Sequence, residues 1–211
     1  MNPAGDRVVL ALETAFPSVS IALQMGGRIR LPEEVPCRAR ASDLHPALLQ
    51  CLESEGLRTS DIDLILVDQG PGSYTGLRIG LAVARTLSHL HGTPILSSYS
   101  TDSLAWMGRD LVSPGEEFVV ALDARRIHWT LARYRREDDG LSRLQAPEVM
   151  ERSQFREIAD RLPLVLCAED EPPTRTRVEQ VGIPTAERLF ELDSLRRPDP
   201  SPLPLYLMPA T

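Results

Sequence analysis

The sequence predicts an α/β protein with a parallel-sheet core in each half. Three observations carry this. Short apolar runs recur at the length of buried strands: Val8–Leu12, Ile62–Val67, Phe118–Leu122 and Leu164–Cys167. Between some of them lie segments with helical apolar spacing, and a strand–helix–strand unit implies a right-handed crossover joining parallel strands. The pattern resumes more weakly after Thr101. A boundary near residue 100 follows, giving an N-terminal lobe over 1–100 and a shortened C-terminal lobe over 101–211, whose last helix is free to pack back on the first lobe.

Val8–Leu12 opens the first lobe, and Ser18–Leu23 follows after the turn Glu13, Thr14, Ala15, Phe16, Pro17. Gly26 and Gly27 signal a hairpin into a third strand, Arg28–Leu31. The stretch 32–40 reads as irregular. Ser42 is a good N-cap with Asp43 in the first turn, and the helix runs to Glu55, where Gly56 stops it. Ile62–Val67 is a buried strand. The run GPGSYTGLR (Gly70–Arg78) is a tight glycine turn opening a helix over Thr75–Leu90, ended by Gly92, Thr93 and Pro94 before the strand Ile95–Ser98. In the second lobe, Asp102–Met107 reads as helix, and Phe118–Leu122 and Ile127–Tyr134 as strands. Arg135–Gly140 reads as a charged hairpin turn. Ser153 caps a helix to Arg161, Leu164–Cys167 is a strand, and Thr185–Leu195 is a last helix. The Pro-rich tail 197–209 is extended.

Composition narrows the chemistry. The net charge of -7 over 211 residues disfavours a surface that itself grips a phosphate backbone. All 23 basic residues are Arg, which removes a P-loop lysine, a Schiff-base lysine and a lysine general base. Cys37, Cys51 and Cys167 are widely spaced and form no metal or disulfide pattern. No apolar run is long enough to span a membrane, and no basic-then-apolar leader is present at the N-terminus, so a cytoplasmic location is expected. His89 and His91 point about 160° apart on a helix and cannot share one metal, so no metal site is expected. Ser73 lies in a glycine-rich turn that does not meet the Gly-x-Ser-x-Gly pattern of a nucleophile elbow. Glu13, Asp68 and Asp123 stand at strand ends, where α/β folds place catalytic groups, yet turn-making is the commoner role of single acids.

The two helices of the first lobe are the informative segments. Ala47, Cys51, Leu44, Leu48, Leu52 and Leu49 cover an arc of about 200° on the first, wider than the ~100° a helix on a sheet needs. On the second, Gly76, Gly80, Ala84 and Ser88 recur every four residues and make a shallow seam. Ile79, Val83, Leu87, Leu90, Leu77 and Leu81 flank it, and Arg78, Ala82, Arg85 and His89 mark the other side. The extra apolar arc either packs between the two helices or meets another subunit. The turn Gly70, Pro71, Gly72 with Gly76 is a weak phosphate-binding signal, because Pro71 removes one N–H donor and no Lys follows.

Taken together, LALETAFPSVSIAL (10–23), DIDLILVDQGPGSYTGLRIGLAVARTLS (61–88), GTPIL (92–96) with Ser98 and Ser100, ALDARR (121–126) and PLYL (204–207) resemble the TsaB (YeaZ) family. These are bacterial dimerisation subunits of the machinery that makes N6-threonylcarbamoyladenosine at position 37 of tRNAs reading ANN codons. The resemblance implies an actin-like ATPase (ASKHA) fold, with two RNase H-like lobes of mixed sheets flanked by helices. It implies a non-catalytic scaffold that binds and activates TsaD, with the ATPase TsaE joining the complex and TsaC supplying threonylcarbamoyl-adenylate. ATP and metal then belong to partner subunits, and tRNA is met only indirectly. Carried over residue by residue, the TsaD-facing surface is Leu44, Leu48, Leu52, Leu77, Arg78, Leu81, Ala82, Arg85 and His89, which also makes a homodimer when the chain is alone. Gly70, Pro71, Gly72 and Gly76 form the structural turn.

The hairpin after the first strand holds Thr14, Ala15, Phe16 and Pro17 where the ancestral fold carries glycine for ATP, so the isolated chain is expected neither to hydrolyse ATP nor to bind it tightly. The second hypothesis is an ATPase or small-molecule kinase of the actin-like fold, which a nucleotide-binding assay separates from a scaffold. A protease is the third, and the Ser and His inventory offers it no triad.

Overall fold

The computed structural model describes residues 6–31, 43–125 and 127–205. The chain divides into two compact units. The first comprises 1–98 with 185–191 and 196–204; the second holds 99–184, 192–195 and 205–211. The segment after Pro184 therefore contributes to both.

In the first unit, β1 (Val8–Glu13), β2 (Ser20–Met25), β3 (Arg28–Arg30), β4 (Leu64–Asp68), β5 (Ile95–Ser98) and β11 (Arg197–Pro198) form one sheet, ordered β11-β5-β4-β1-β2-β3. β1 is parallel to β4 and β4 to β5; β2, β3 and β11 run antiparallel to their neighbours. The central strands are buried on both faces, which is why they read as unbroken apolar runs rather than alternating ones.

Helices α1 (Leu44–Ser54) and α2 (Tyr74–His91) pack on one face of this sheet. Leu10, Leu12, Ile65 and Val67 from the strands join Leu44, Leu48, Leu52, Leu81, Ala84 and Leu87 in a single core cluster. Asp43 stands at the N-cap of α1 where Ser42 was expected; Ser42 and the stretch 32–40 lie outside the described residues. Ser73 caps α2, its hydroxyl accepting from the Gly76 N–H at 3.2 Å, and Gly92 closes the helix in the left-handed conformation with φ 71°.

The second unit repeats the topology. Its sheet is ordered β10-β9-β6-β7-β8, from β6 (Glu117–Asp123), β7 (His128–Glu137), β8 (Gly140–Glu151), β9 (Leu164–Cys167) and β10 (Arg177–Gln180). Here β6 is parallel to β9 and β9 to β10, and the β6–β7–β8 meander is antiparallel. α3 (Ser100–Met107) precedes the sheet, and α4 (Arg152–Ala159) lies between β8 and β9. No helix lies between β9 and β10, where the first unit has α2. One buried polar network ties this unit together. Asp102, fully buried, receives Arg143 Nη1 at 2.6 Å and the Tyr134 hydroxyl at 2.8 Å, while the Arg143 guanidinium lies 4.7 Å from the centre of the Tyr99 ring.

Three expectations need correction, and two outer strands of the second sheet have no counterpart in the sequence reading. The charged turn 135–140 shrinks to Asp138–Asp139, because β7 runs on to Glu137 and β8 starts at Gly140. β8 and β10 carry no unbroken apolar run, since each is an outer strand with one face to solvent. The last helix is not α-helical over Thr185–Leu195 but a 3₁₀ turn over Ala186–Glu191, and the buried Ala186, Leu189, Leu192 and Leu195 recur every third residue, the 3₁₀ period. Finally, Ser153 lies inside α4, whose N-cap is Glu151. In the tail, Tyr206 to Met208 lie outside the described residues.

Candidate functional site

The end of β1 and the glycine turn before α2 interlock. Gly70 has φ 103°, and the Gly70–Pro71 peptide is cis. The Gly70 N–H donates to Asp68 Oδ1 at 2.6 Å, so the acid at the end of β4 shapes the turn that follows it. Ser73 N–H donates to the Ala15 carbonyl at 2.6 Å. A Cβ on Gly72 would overlap the Ala15 carbonyl oxygen, one on Gly76 the Thr14 carbonyl oxygen, and one on Gly80 the Thr14 side chain. The glycine seam is therefore filled from within: it lets α2 close onto the loop after β1. The turn that could have cradled a phosphate is occupied by this chain's own backbone.

Beneath the interlock lies a pair of acids. Glu13 ends β1 and Asp68 ends the adjacent parallel β4, and both are fully buried. Burial first, and then the neighbouring Asp68 charge, push the Glu13 carboxyl well above the ordinary carboxylate range; its Oε1 accepts the Ala15 N–H at 2.8 Å. The Asp68 side chain beside it thus works against ionisation of Glu13. Each acid was legible as a strand-end residue; the pairing was not, because it joins segments 55 residues apart. Asp123, the third strand-end acid, accepts the Arg125 N–H at 3.0 Å and makes a turn rather than an ion pair with the Arg125 side chain.

The outer surface of α1 and α2 corrects the sequence reading. Leu44, Leu48, Leu52, Leu77 and Leu81, assigned to the partner face, are all 1% exposed or less. Their arc is spent on the sheet and on each other. The remaining four, Arg78, Ala82, Arg85 and His89, share an exposed strip of α2. Tyr74 and Leu90 on α2 and Leu49 on α1 add exposed apolar surface; both leucines lie in the arcs read from the sequence but outside the residues assigned to the partner face. Alongside, Ala82, Arg85, His89 and Leu90 line an open groove of about 740 Å³ closed by Pro200 and Ser201. Among the described residues no group of three or more His, Cys, Asp or Glu side chains could hold a metal, and no helix is long and apolar enough to cross a membrane.

Comparison with known proteins places this geometry. The family model described as TsaD, tRNA N6-adenosine threonylcarbamoyltransferase, matches residues 20–162. The tRNA threonylcarbamoyladenosine biosynthesis protein TsaB of Escherichia coli is 28% identical over 135 residues, 63% of this chain and 57% of that protein. TsaB of Bacillus subtilis is 32% identical over 123 residues, 56% of this chain and 51% of that protein. The matched region thus spans little more than half the length of these relatives. The solved structure of YeaZ from Pseudomonas aeruginosa superposes with a TM-score of 0.73 at 24% identity, covering 95% of this chain and all of that one. The shared architecture is the actin-like fold of two RNase H-like lobes. With a family model matching most of its length and TsaB and YeaZ among its relatives, the chain belongs to the TsaD family of tRNA N6-adenosine threonylcarbamoyltransferases, in its TsaB/YeaZ branch.

Proposed function

We propose that the chain is a non-catalytic subunit in the synthesis of N6-threonylcarbamoyladenosine in tRNA, and that it acts by binding and activating a TsaD subunit through the exposed face of α1 and α2. The observation that carries this is the exposed strip Arg78, Ala82, Arg85 and His89, bordered by Tyr74, Leu90 and Leu49. That strip is seated on a helix locked to the sheet by the Gly76–Thr14 contact, so the surface is held rigid before a partner arrives. The filled glycine turn and the buried Glu13–Asp68 pair support a chain that by itself neither binds ATP tightly nor turns it over. ATP, metal and most tRNA contact fall to partner subunits, TsaD and TsaE. A second copy can use the same face when the chain is alone, and the chain works in the cytoplasm.

Ala82→Glu tests the reading. Glutamate at 82 stands four residues after Arg78 and three before Arg85, so it gains helix ion pairs and leaves the melting temperature unchanged or slightly raised. Co-purification with the same organism's TsaD should weaken by about tenfold or more, the cost of a carboxylate in a docked face. A folded Ala82→Glu protein that still retains TsaD as wild type does would refute the docking face. A wild-type chain that ignores TsaD but binds ATP would favour the actin-like ATPase or kinase.

A further inference from the structure

The charge of α2 sorts partners, an inference that rests on the docking face proposed above. The chain carries 30 acids, yet the 18 residues of α2 contain none. At 100° per residue, Tyr74, Arg85, Arg78 and His89 fall within an arc of about 60°, all exposed. Ile79, Val83 and Leu90 form an apolar edge further round, with Ala82 and Thr86 between the two rows. Arg78 Nη1 donates to the Tyr74 hydroxyl at 2.9 Å, and its guanidinium lies 5.3 Å from that ring's centre, so its charge is positioned without being neutralised. Among the described residues neither Arg78 nor Arg85 has a carboxylate within ion-pair distance. The nearby Asp199, before Pro200 and Ser201 of the groove wall, accepts the Ser201 N–H at 3.2 Å.

We infer that this face selects a partner surface carrying an apolar row bordered by carboxylates, and that it discriminates against a second copy of this chain. A two-fold pairing through α2 brings the Arg78 and Arg85 of both copies to one interface with no acid on either copy of α2, the exposed Glu53 being the one acid on α1. An acidic partner inverts every one of those terms. Salt therefore acts with opposite sign on the two associations: screening relieves the repulsion between copies and weakens the attraction to the partner.

The experiment measures self-association by sedimentation equilibrium, and the Kd for the same organism's TsaD by calorimetry, at 50 and 500 mM NaCl. It compares wild type with Arg78→Ala/Arg85→Ala, both exposed positions whose truncation leaves the core untouched. The expected result is a TsaD affinity that falls about tenfold on going to high salt in wild type, and by a similar factor at low salt in the double variant, whose salt dependence is then largely lost. Wild-type self-association should tighten with salt, and the double variant should self-associate at 50 mM at least as tightly. The inference is overturned if the double variant binds TsaD as wild type does with the same salt slope, or if salt loosens the wild-type homodimer. Failure of wild type to bind TsaD at either salt overturns the docking reading itself, and the two failures are thereby told apart.

Discussion

Gly76→Ala should unfold this protein at a temperature well below wild type. On a free helix the change is favourable by up to about 1 kcal/mol. Here the added methyl group overlaps the Thr14 carbonyl, a backbone atom in a loop that is itself pinned. Ala15 N–H is held by Glu13 at 2.8 Å, and the Ala15 carbonyl by Ser73 N–H at 2.6 Å. The loop cannot yield without breaking these bonds, and the helix cannot rise without exposing Leu77, Leu81 and Ala84. The net loss should be about 3 kcal/mol, a fall in melting temperature of roughly 6–12 °C for a chain of this size. Calorimetry of the variant beside wild type decides it, and a melting temperature within a degree of wild type would show that the interlock is loose.

The Glu13–Asp68 pair makes stability depend on pH with a sign opposite to that of ordinary carboxylates. Burial and the Asp68 charge raise Glu13 well above the ordinary glutamate value of 4.5, so in the window between the two the folded chain holds a proton that the unfolded chain has released. Stability therefore falls as pH rises from about 4.5 toward the folded value. The half-buried Glu117 and exposed Asp160, whose carboxyls are lowered by hydrogen bonds from Arg135 and Arg133 and from Thr174 and Arg175, act the other way at the acid end, losing their contribution as pH falls. Asp102 is raised by burial despite Arg143 and shares the sign of Glu13, so the assignment needs a variant. Glu13→Gln keeps the shape and an N–H donor toward Asp68 and removes the titrating proton. Urea midpoints should decline in wild type as pH rises above about 4.5, and decline less steeply in Glu13→Gln. Glu13→Ala, which strands Asp68 beside a cavity, should cost about 3 kcal/mol at every pH in that range. Parallel pH profiles for wild type and Glu13→Gln would dissociate the pair from the slope.

What the sequence disclosed follows from how locally each feature is encoded. β1, β4, β5, β6 and β9 are buried on both faces, and their apolar runs are visible without any partner. α1 and α2 announce themselves by period and by glycine at their ends. β8 does not. It is an outer strand whose bulge against β7 falls near Pro147, so its pattern LSRLQAPEVM slips phase midway. The leucines of α1 and α2 misled for a related reason. An arc of about 200° was counted as surplus, but a helix wedged between a sheet and a second helix uses most of it. The large apolar residues that stay exposed on these helices, Tyr74, Leu90 and Leu49, sit outside the densest apolar stripe. Nothing local tells Glu13 that Asp68 will stand beside it.

The connection from β9 to β10 shows what the unequal lobes mean for assembly. Five strands of the first sheet follow the order of the second, which has no counterpart of β11, but the loop 168–176 stands where the first lobe has the crossover helix that bears the exposed strip. The molecule therefore has the pseudo-symmetry of a duplicated unit in its strands and has lost it in its surface. Among the described residues the second unit has no counterpart of the exposed strip of α2, so the docking proposed above would use a surface that duplication of the strands did not duplicate.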